Sequence, residues 1–325
     1  MSVRVAFVGT GVIANYAHFG ALGEIEDVEI VGMCDVDPAK AESAAEAHGG
    51  QVYVDYREML DKEKPDAVFV CVPPFAHSDI ELEAAKRGVH LFVEKPVGLS
   101  MERVLRTRDV IDDAGVICAV GYHWRYNSLI EEARLRLQEM EIPLVLGYWV
   151  GGMPPPAWWR AKSKSGGQHV EQTTHIFDMA RHMVGEASVV FALGHSGLMQ
   201  KKHEDHDIED ATTVAVGFRN GTVGNFTSAD FIQGQGKIGL HVFTDQMVVE
   251  MDLKGVRVVE PGTVTERTHP ERAHYVQDRV FIDAVRSGDG SAIRSSYDDA
   301  VRTLELTLAA DESMRTGAPV KVGVR

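Results

Sequence analysis

The first 120 residues alternate short, β-branched apolar runs with longer amphipathic stretches, and this alternation restricts the fold more than any other feature of the chain. The apolar runs at 3–8, 28–34, 67–72, 89–93 and 116–120 are largely continuous, as expected of strands covered on both faces. Helical patterns lie between them. Residues 38–48 begin on a proline, 79–87 are closed by Gly88, and 100–113 are closed by Gly115. Strand and helix alternating at this pitch predict an α/β fold built on a doubly wound parallel sheet.

The pattern changes after Gly121. Residues 122–127 are aromatic and polar, 128–139 read as a helix, and a Pro/Trp/Gly-rich loop at 151–167 leads into a helix at 170–184. Strand-like segments follow at 188–198, 211–219, 222–232, 238–244, 247–253 and 256–260, with Arg219-Asn220-Gly221-Thr222 as a hairpin turn. Helices at 275–287 and 297–316 precede an end strand at 320–324. The expectation is two domains, 1–121 and 122–325, the second built on an antiparallel sheet.

Charge narrows the partners. The chain carries 33 Lys plus Arg against 48 Asp plus Glu, a formal net charge of -15. No basic run exceeds a pair such as Lys201-Lys202, so nucleic acid is not an expected partner. No apolar stretch approaches the roughly 20 residues that span a bilayer, and the N-terminus runs directly into a strand, so no membrane partner and a cytoplasmic location are expected. Cys34, Cys71 and Cys118 each sit in an apolar run and read as reduced core residues, forming neither a disulfide framework nor a zinc site.

Gly9-Thr10-Gly11-Val12-Ile13-Ala14 follows the first strand and opens a helix, the context a dinucleotide fingerprint requires. Gly9 permits the tight turn, Gly11 lets a pyrophosphate approach the backbone, and Ala14 keeps the helix near the strand while its first amides face the phosphates. Cys34-Asp35-Val36-Asp37-Pro38 ends the second strand and places a carboxylate where ribose hydroxyls lie. Asp35 therefore favours NAD over NADP. Helix capping is the plainer role for these two aspartates and suits Asp37 better.

Three further stretches resemble the glucose-fructose oxidoreductase, inositol dehydrogenase and MocA family (Gfo/Idh/MocA). Glu94-Lys95-Pro96 after the fifth strand resembles its EKP motif, Val72-Pro73-Pro74-Phe75-Ala76-His77 its segment after the fourth strand, and Gly166-Gly167 with Glu171 and His175 its GG…DxxxH segment. Ser295-Ser296-Tyr297-Asp298-Asp299-Ala300 extends the likeness to almost the whole chain. The resemblance implies a Rossmann domain followed by an α+β domain with an open, mostly antiparallel sheet. It also implies that Lys95 hydrogen-bonds the reacting oxygen and that His175 exchanges its proton. Those roles suit a histidine near neutrality and a cation beside a developing alkoxide. Glu171 stands where the family usually has Asp, one methylene shorter; i, i+4 spacing would put it on one helix face with His175, as on any polar helix face.

Within this scheme Gly9, Gly11, Val12, Ile13, Asp35, Pro73, Pro74, His77, Glu94 and Lys95 are the expected cofactor contacts. His123 and Arg125 either line the substrate cleft or belong to an aromatic joint between domains. Trp158 and Trp159 either stack on a sugar ring or pack into the core. His203-Glu204-Asp205-His206-Asp207 is ligand-rich but reads as a solvated polar turn, and no metal is expected. His18 is placed near the surface of the first domain or its cleft edge.

The expected activity is NAD-dependent hydride transfer at a hydroxyl or carbonyl carbon of a sugar, sugar derivative or cyclitol. An NAD-retaining glycosidase of the same family and a catalytically silent NAD-binding regulator are the alternatives. A homodimer or homotetramer is expected through the large sheet, with Val214, Val216, Phe226, Val242 and Phe243 among its apolar residues.

Overall fold

A computed structural model of the chain describes residues 2–77 and 79–323. The chain forms two compact units, Met1–Tyr126 with Glu271–Val301 and Asn127–Pro270 with Arg302–Arg325. This differs from a single boundary at 121/122, because the chain returns to the first unit after leaving it.

In the first unit β1 (Val3–Val8), β2 (Val28–Cys34), β3 (Gln51–Tyr53), β4 (Ala67–Val70), β5 (His90–Val93) and β6 (Cys118–Val120) pair in parallel in the order β3-β2-β1-β4-β5-β6. The order reverses beside β1, which places the crevice of a doubly wound sheet at the carboxyl ends of β1 and β4. Every residue of β4 is buried, which explains its uninterrupted apolar sequence. The edge strand β3 was not legible, since Gln51 and Val52 are exposed and supply no apolar run. The return segment belongs here because Phe281 and Ile282, on the helix Ala273–Ser287, are fully buried in the core. Phe281 meets Phe69 and Phe92 edge-on at 5.5 Å.

The second unit holds a nine-stranded sheet. Its strands are β7 (Leu144–Val150), β8 (Ala187–His195), β9 (Ala211–Phe218), β10 (Val223–Ala229), β11 (Lys237–Phe243), β12 (Val248–Asp252), β13 (Gly255–Glu260), β14 (Thr263–Thr268) and β15 (Val320–Lys321). They lie in the order β14-β13-β12-β11-β7-β10-β9-β8-β15. All neighbours are antiparallel except β7 and β10, so the sheet is mixed. β7 and the fully exposed β14 lie outside the strand-like segments of the sequence. β7 is interrupted by Gly147, where an added Cβ would lie 2.5 Å from Ile176 and 2.6 Å from Phe226; the helix Thr174–Val184 approaches the sheet there. The end strand expected to Val324 is seen at Val320–Lys321, and Val324 lies outside the described residues.

The single helix expected at 170–184 is two helices, Gln168–Glu171 and Thr174–Val184. Side chains next to the break are anchored to strand ends: Gln168 Nε2 donates to the Ala229 carbonyl at 2.8 Å, and Thr173 and Ser228 share a hydroxyl hydrogen bond of 2.7 Å. Among the described residues no helix is long and apolar enough to cross a membrane.

Candidate active site

Gly9 adopts φ +90°, and a Cβ there would sit 2.4 Å from the Cys71 carbonyl oxygen, so the turn after β1 needs glycine twice over. Around Gly11 no atom lies within 4 Å of where a Cβ would be, leaving the backbone open to a ligand. The Asp35 carboxylate accepts from the Thr10 amide at 2.9 Å and from the Asp37 amide at 3.0 Å, which fixes it at the carboxyl end of β2. Asp37 caps the next helix through the Ala39 amide. Val12 and Val36 are 79% and 94% exposed beside these turns, and Phe75 also projects outward. An open glycine turn, a fixed acceptor pair and flat apolar surfaces fit a dinucleotide with free ribose hydroxyls. Pro73 and Ile13 are half-buried, and Pro74 is buried beneath the loop after β4.

Glu94, Lys95 and Pro96 leave β5 on the same carboxyl edge, with a cis bond between Lys95 and Pro96. Lys95 is half-buried. Glu94, expected to face the cofactor, is instead buried; its Oε1 accepts from His18 Nε2 at 3.2 Å. His77 is also turned inward. Its Nδ1 pairs with the buried Glu81 carboxylate, and its carbonyl accepts from Arg103, so the ring is not offered to a cofactor.

Arg125 has its partners within the first unit. It is buried, donates to the Arg294 carbonyl at 2.7 Å and pairs with Asp299 at 2.6 Å. His123 stacks on His274 at 4.0 Å. Burial, then the neighbouring His274 and Lys95 charges, holds the His123 pKa well below the usual histidine value, so the ring is neutral near pH 7. His18, expected near the surface of the first domain or its cleft edge, is fully buried. Its signal was available: Ala14, Ala17 and His18 share the buried face of one helical turn.

In the second unit His175 lies at the start of the helix Thr174–Val184, buried and stacked on Trp149 at 5.7 Å. Glu171 ends the preceding short helix, so the two do not share one continuous helix face. The Glu171 carboxylate accepts from the Trp159 indole at 2.8 Å. Trp159 is 1% exposed, which removes it as a stacking platform, whereas Trp158 remains half-exposed.

The cluster expected to be a solvated turn is partly internal. His206 is buried and its Nε2 donates to the buried Asp230 at 2.8 Å, with Asp210 at 4.0 Å from Nδ1. Asp210 accepts the Leu198 and Met199 amides. Arg160 donates to His203 and Asp205, and Asp207 accepts from the Lys162 amide. These contacts fasten the loop carrying Trp158 to the segment between β8 and β9.

Residues 3–122 match the family described as "Oxidoreductase family, NAD-binding Rossmann fold", and residues 142–250 match the "GFO/IDH/MocA C-terminal domain". The chain is 27% identical to the scyllo-inositol 2-dehydrogenase (NAD(+)) of Bacillus subtilis over 99% of its own length and 97% of the relative's. It is likewise 27% identical to the myo-inositol 2-dehydrogenase of Thermotoga maritima, over 98% of both chains. Levoglucosan dehydrogenase in complex with NADH and levoglucosan superposes with a TM-score of 0.88 at 21% identity, covering 99% of this chain and 100% of that one. With both family segments in place and the glycine turn and Asp35 formed as NAD requires, the chain belongs to the Gfo/Idh/MocA family of NAD-dependent oxidoreductases.

Proposed function

We propose that the protein oxidises a secondary hydroxyl, or a hemiacetal, of a sugar, sugar derivative or cyclitol, or reduces the corresponding carbonyl. The observation that carries this reading is the position of Lys95, half-buried at the carboxyl end of β5 on the sheet edge that also holds Gly9 and Asp35. When bound, NAD accepts or returns the hydride. Lys95 donates to the reacting oxygen and stabilises negative charge as it develops there. His175 takes the hydroxyl proton during oxidation and returns it during reduction, a transfer that an imidazole nitrogen can make. Trp159 orients Glu171 to accept from a substrate hydroxyl, and the half-exposed Trp158 offers a ring to the C–H face of a sugar. The inositol, glucoside and levoglucosan dehydrogenases among the relatives support the polyol class.

The test is a panel of inositols, aldoses, glucosides, 1,6-anhydroglucose and sugar acids with NAD or NADP, following nicotinamide absorbance. Release of stoichiometric NADH with one polyol group supports the reading. Glycoside cleavage without NADH release favours the glycosidase alternative and contradicts it.

A further inference from the structure

Inside the first unit the glycine fingerprint, the Lys95 turn and the return helix converge on ionisable side chains that the proposed reaction leaves without a role. His18 ends a π-helical turn, Ala14–His18, a wider turn that recurs where a side chain must be set out of α-helical register. Its Nδ1 donates to Asp278 Oδ2 at 2.8 Å and its Nε2 to Glu94 Oε1 at 3.2 Å. Phe69 and Phe92 meet the ring edge-on at 5.1 and 5.0 Å and exclude water from it.

Glu94 is held from a second side. A Cβ on Gly121 would lie 2.4 Å from Glu94 Oε1 and 2.8 Å from its carboxyl carbon. Gly121 is outside the left-handed region, so its backbone accepts any residue; the Glu94 carboxylate is what occupies the space a side chain would need. Two buried carboxylates and an imidazole are a costly way to fill a core, which a packed apolar set fills as well or better. Their geometry ends on the residue that precedes Lys95.

We propose that His18 is a positioning residue for Lys95: bridging Asp278 and Glu94, it fixes the Glu94 carboxylate against Gly121 and so sets where the next side chain presents its ammonium. The proposal rests on the reading of Lys95 as the donor to the reacting oxygen. The groups facing His18 are Asp278 and His274 from the return helix, Cys71 after β4 and Glu94 after β5, with Lys95 and His123 beyond them. Burial opposes a charge on His18, but Asp278 and Cys71 outweigh it and hold the pKa well above the usual histidine value. The bridge is therefore intact at neutral pH. It is lost as pH rises through that raised value.

His18→Gln and Gly121→Ala reach Glu94 from different sides, and the added alanine methyl displaces only the flexible end of Glu94. Each is expected to lower kcat by about 10- to 100-fold, the cost of misplacing a reacting group by about 1 Å. NADH affinity, read by fluorescence titration, should stay within about twofold. The double variant should be no slower than the slower single one, because both act through one carboxylate. Crystal structures of the NADH complexes should show Lys95 Nζ displaced by about 1 Å or more in both variants. The isosteric Asp278→Asn keeps the packing but weakens the hold on the His18 proton, so the alkaline limb of kcat should move about one pH unit lower.

Turnover of His18→Gln within about twofold of wild type, multiplicative losses in the double variant, or an unmoved Lys95 in the His18→Gln crystal would overturn the proposal. The crystal readout needs no substrate. Unchanged turnover in Lys95→Ala would instead overturn the role of Lys95 itself, which separates the two failures.

Discussion

The backbone N–H of Thr10 donates to the Asp35 carboxylate at 2.9 Å, tying the glycine turn after β1 to the end of β2. The contact makes Asp35 a rigid acceptor as well as a fixed negative charge. NAD should therefore be preferred to NADP by at least about tenfold in kcat/KM, or ~1.4 kcal/mol. Asp35→Ser should narrow that ratio, and equal use of both cofactors by the wild type would contradict the assignment.

Trp159→Phe keeps one aromatic ring but removes the pyrrole portion of the buried indole together with the N–H that Glu171 accepts, so a cavity cost adds to the lost hydrogen bond. A hydrogen bond to a charged group is worth roughly 1.5–3 kcal/mol, and the half-exposed position of Glu171 brings the expectation to about 1 kcal/mol. Urea denaturation should show at least that loss, together with a fall in kcat/KM. Glu171→Gln retains an acceptor and should cost less than Trp159→Phe; equal midpoints for all three proteins would show that the contact does not hold Glu171.

Acid should destabilise the fold through its buried neutral histidines, His123 among them. Burial holds His274 down at about 4, and burial followed by the Lys162 ammonium holds His169 at about 4. The unfolded chain takes up these protons near pH 6.5, so their stabilising contribution is complete above that pH and is lost as pH falls toward 4. The thermal midpoint should drop over this window. His169→Gln should reduce the drop by at least about 2 °C, and an unchanged drop would remove His169 as a cause.

Alternation along β8 turns Val190 and Ala192 inward and Val189, Phe191 and Leu193 outward, with the exposed Val223 of β10 on the same outer face. Val214, Val216, Phe226 and Val242, which the sequence offered as interface residues, are buried, and Phe243 is half-buried. We expect the outward set to pair two copies of the chain. Light scattering should give a dimer or tetramer, and Phe191→Glu with Leu193→Glu should give a monomer; a monomeric wild type at micromolar concentration would contradict the pairing.

Periodicity exposed what packing makes repetitive. The all-buried β4 and the alternating β9 were readable because each residue's environment repeats along the strand. β3 and β14 were not, because exposed edge strands carry no apolar signature, and Gly147 conceals β7 for a tertiary reason. The same divide runs through the candidate site. Gly9, Asp35 and Lys95 stand in local motifs. The pairing of His18 with Asp278 spans 260 residues, and no local spacing announces it. Arg125 and Trp159 had two open readings each, and the partners the fold gives them, the Arg294 carbonyl and the Glu171 carboxylate, are not announced by local spacing either.

If Lys95 supplies the donor for the reacting oxygen, the turnover of Lys95→Ala with the best polyol of the panel should reveal it. Removing one donor to a developing oxyanion typically costs ~2.7 to 4 kcal/mol, so kcat should fall by roughly 100-fold or more while NADH affinity changes little. His175→Ala should also slow turnover. Near-normal turnover of Lys95→Ala with an intact NADH site would contradict the account and leave the Glu94-Lys95-Pro96 turn as a feature of the fold alone.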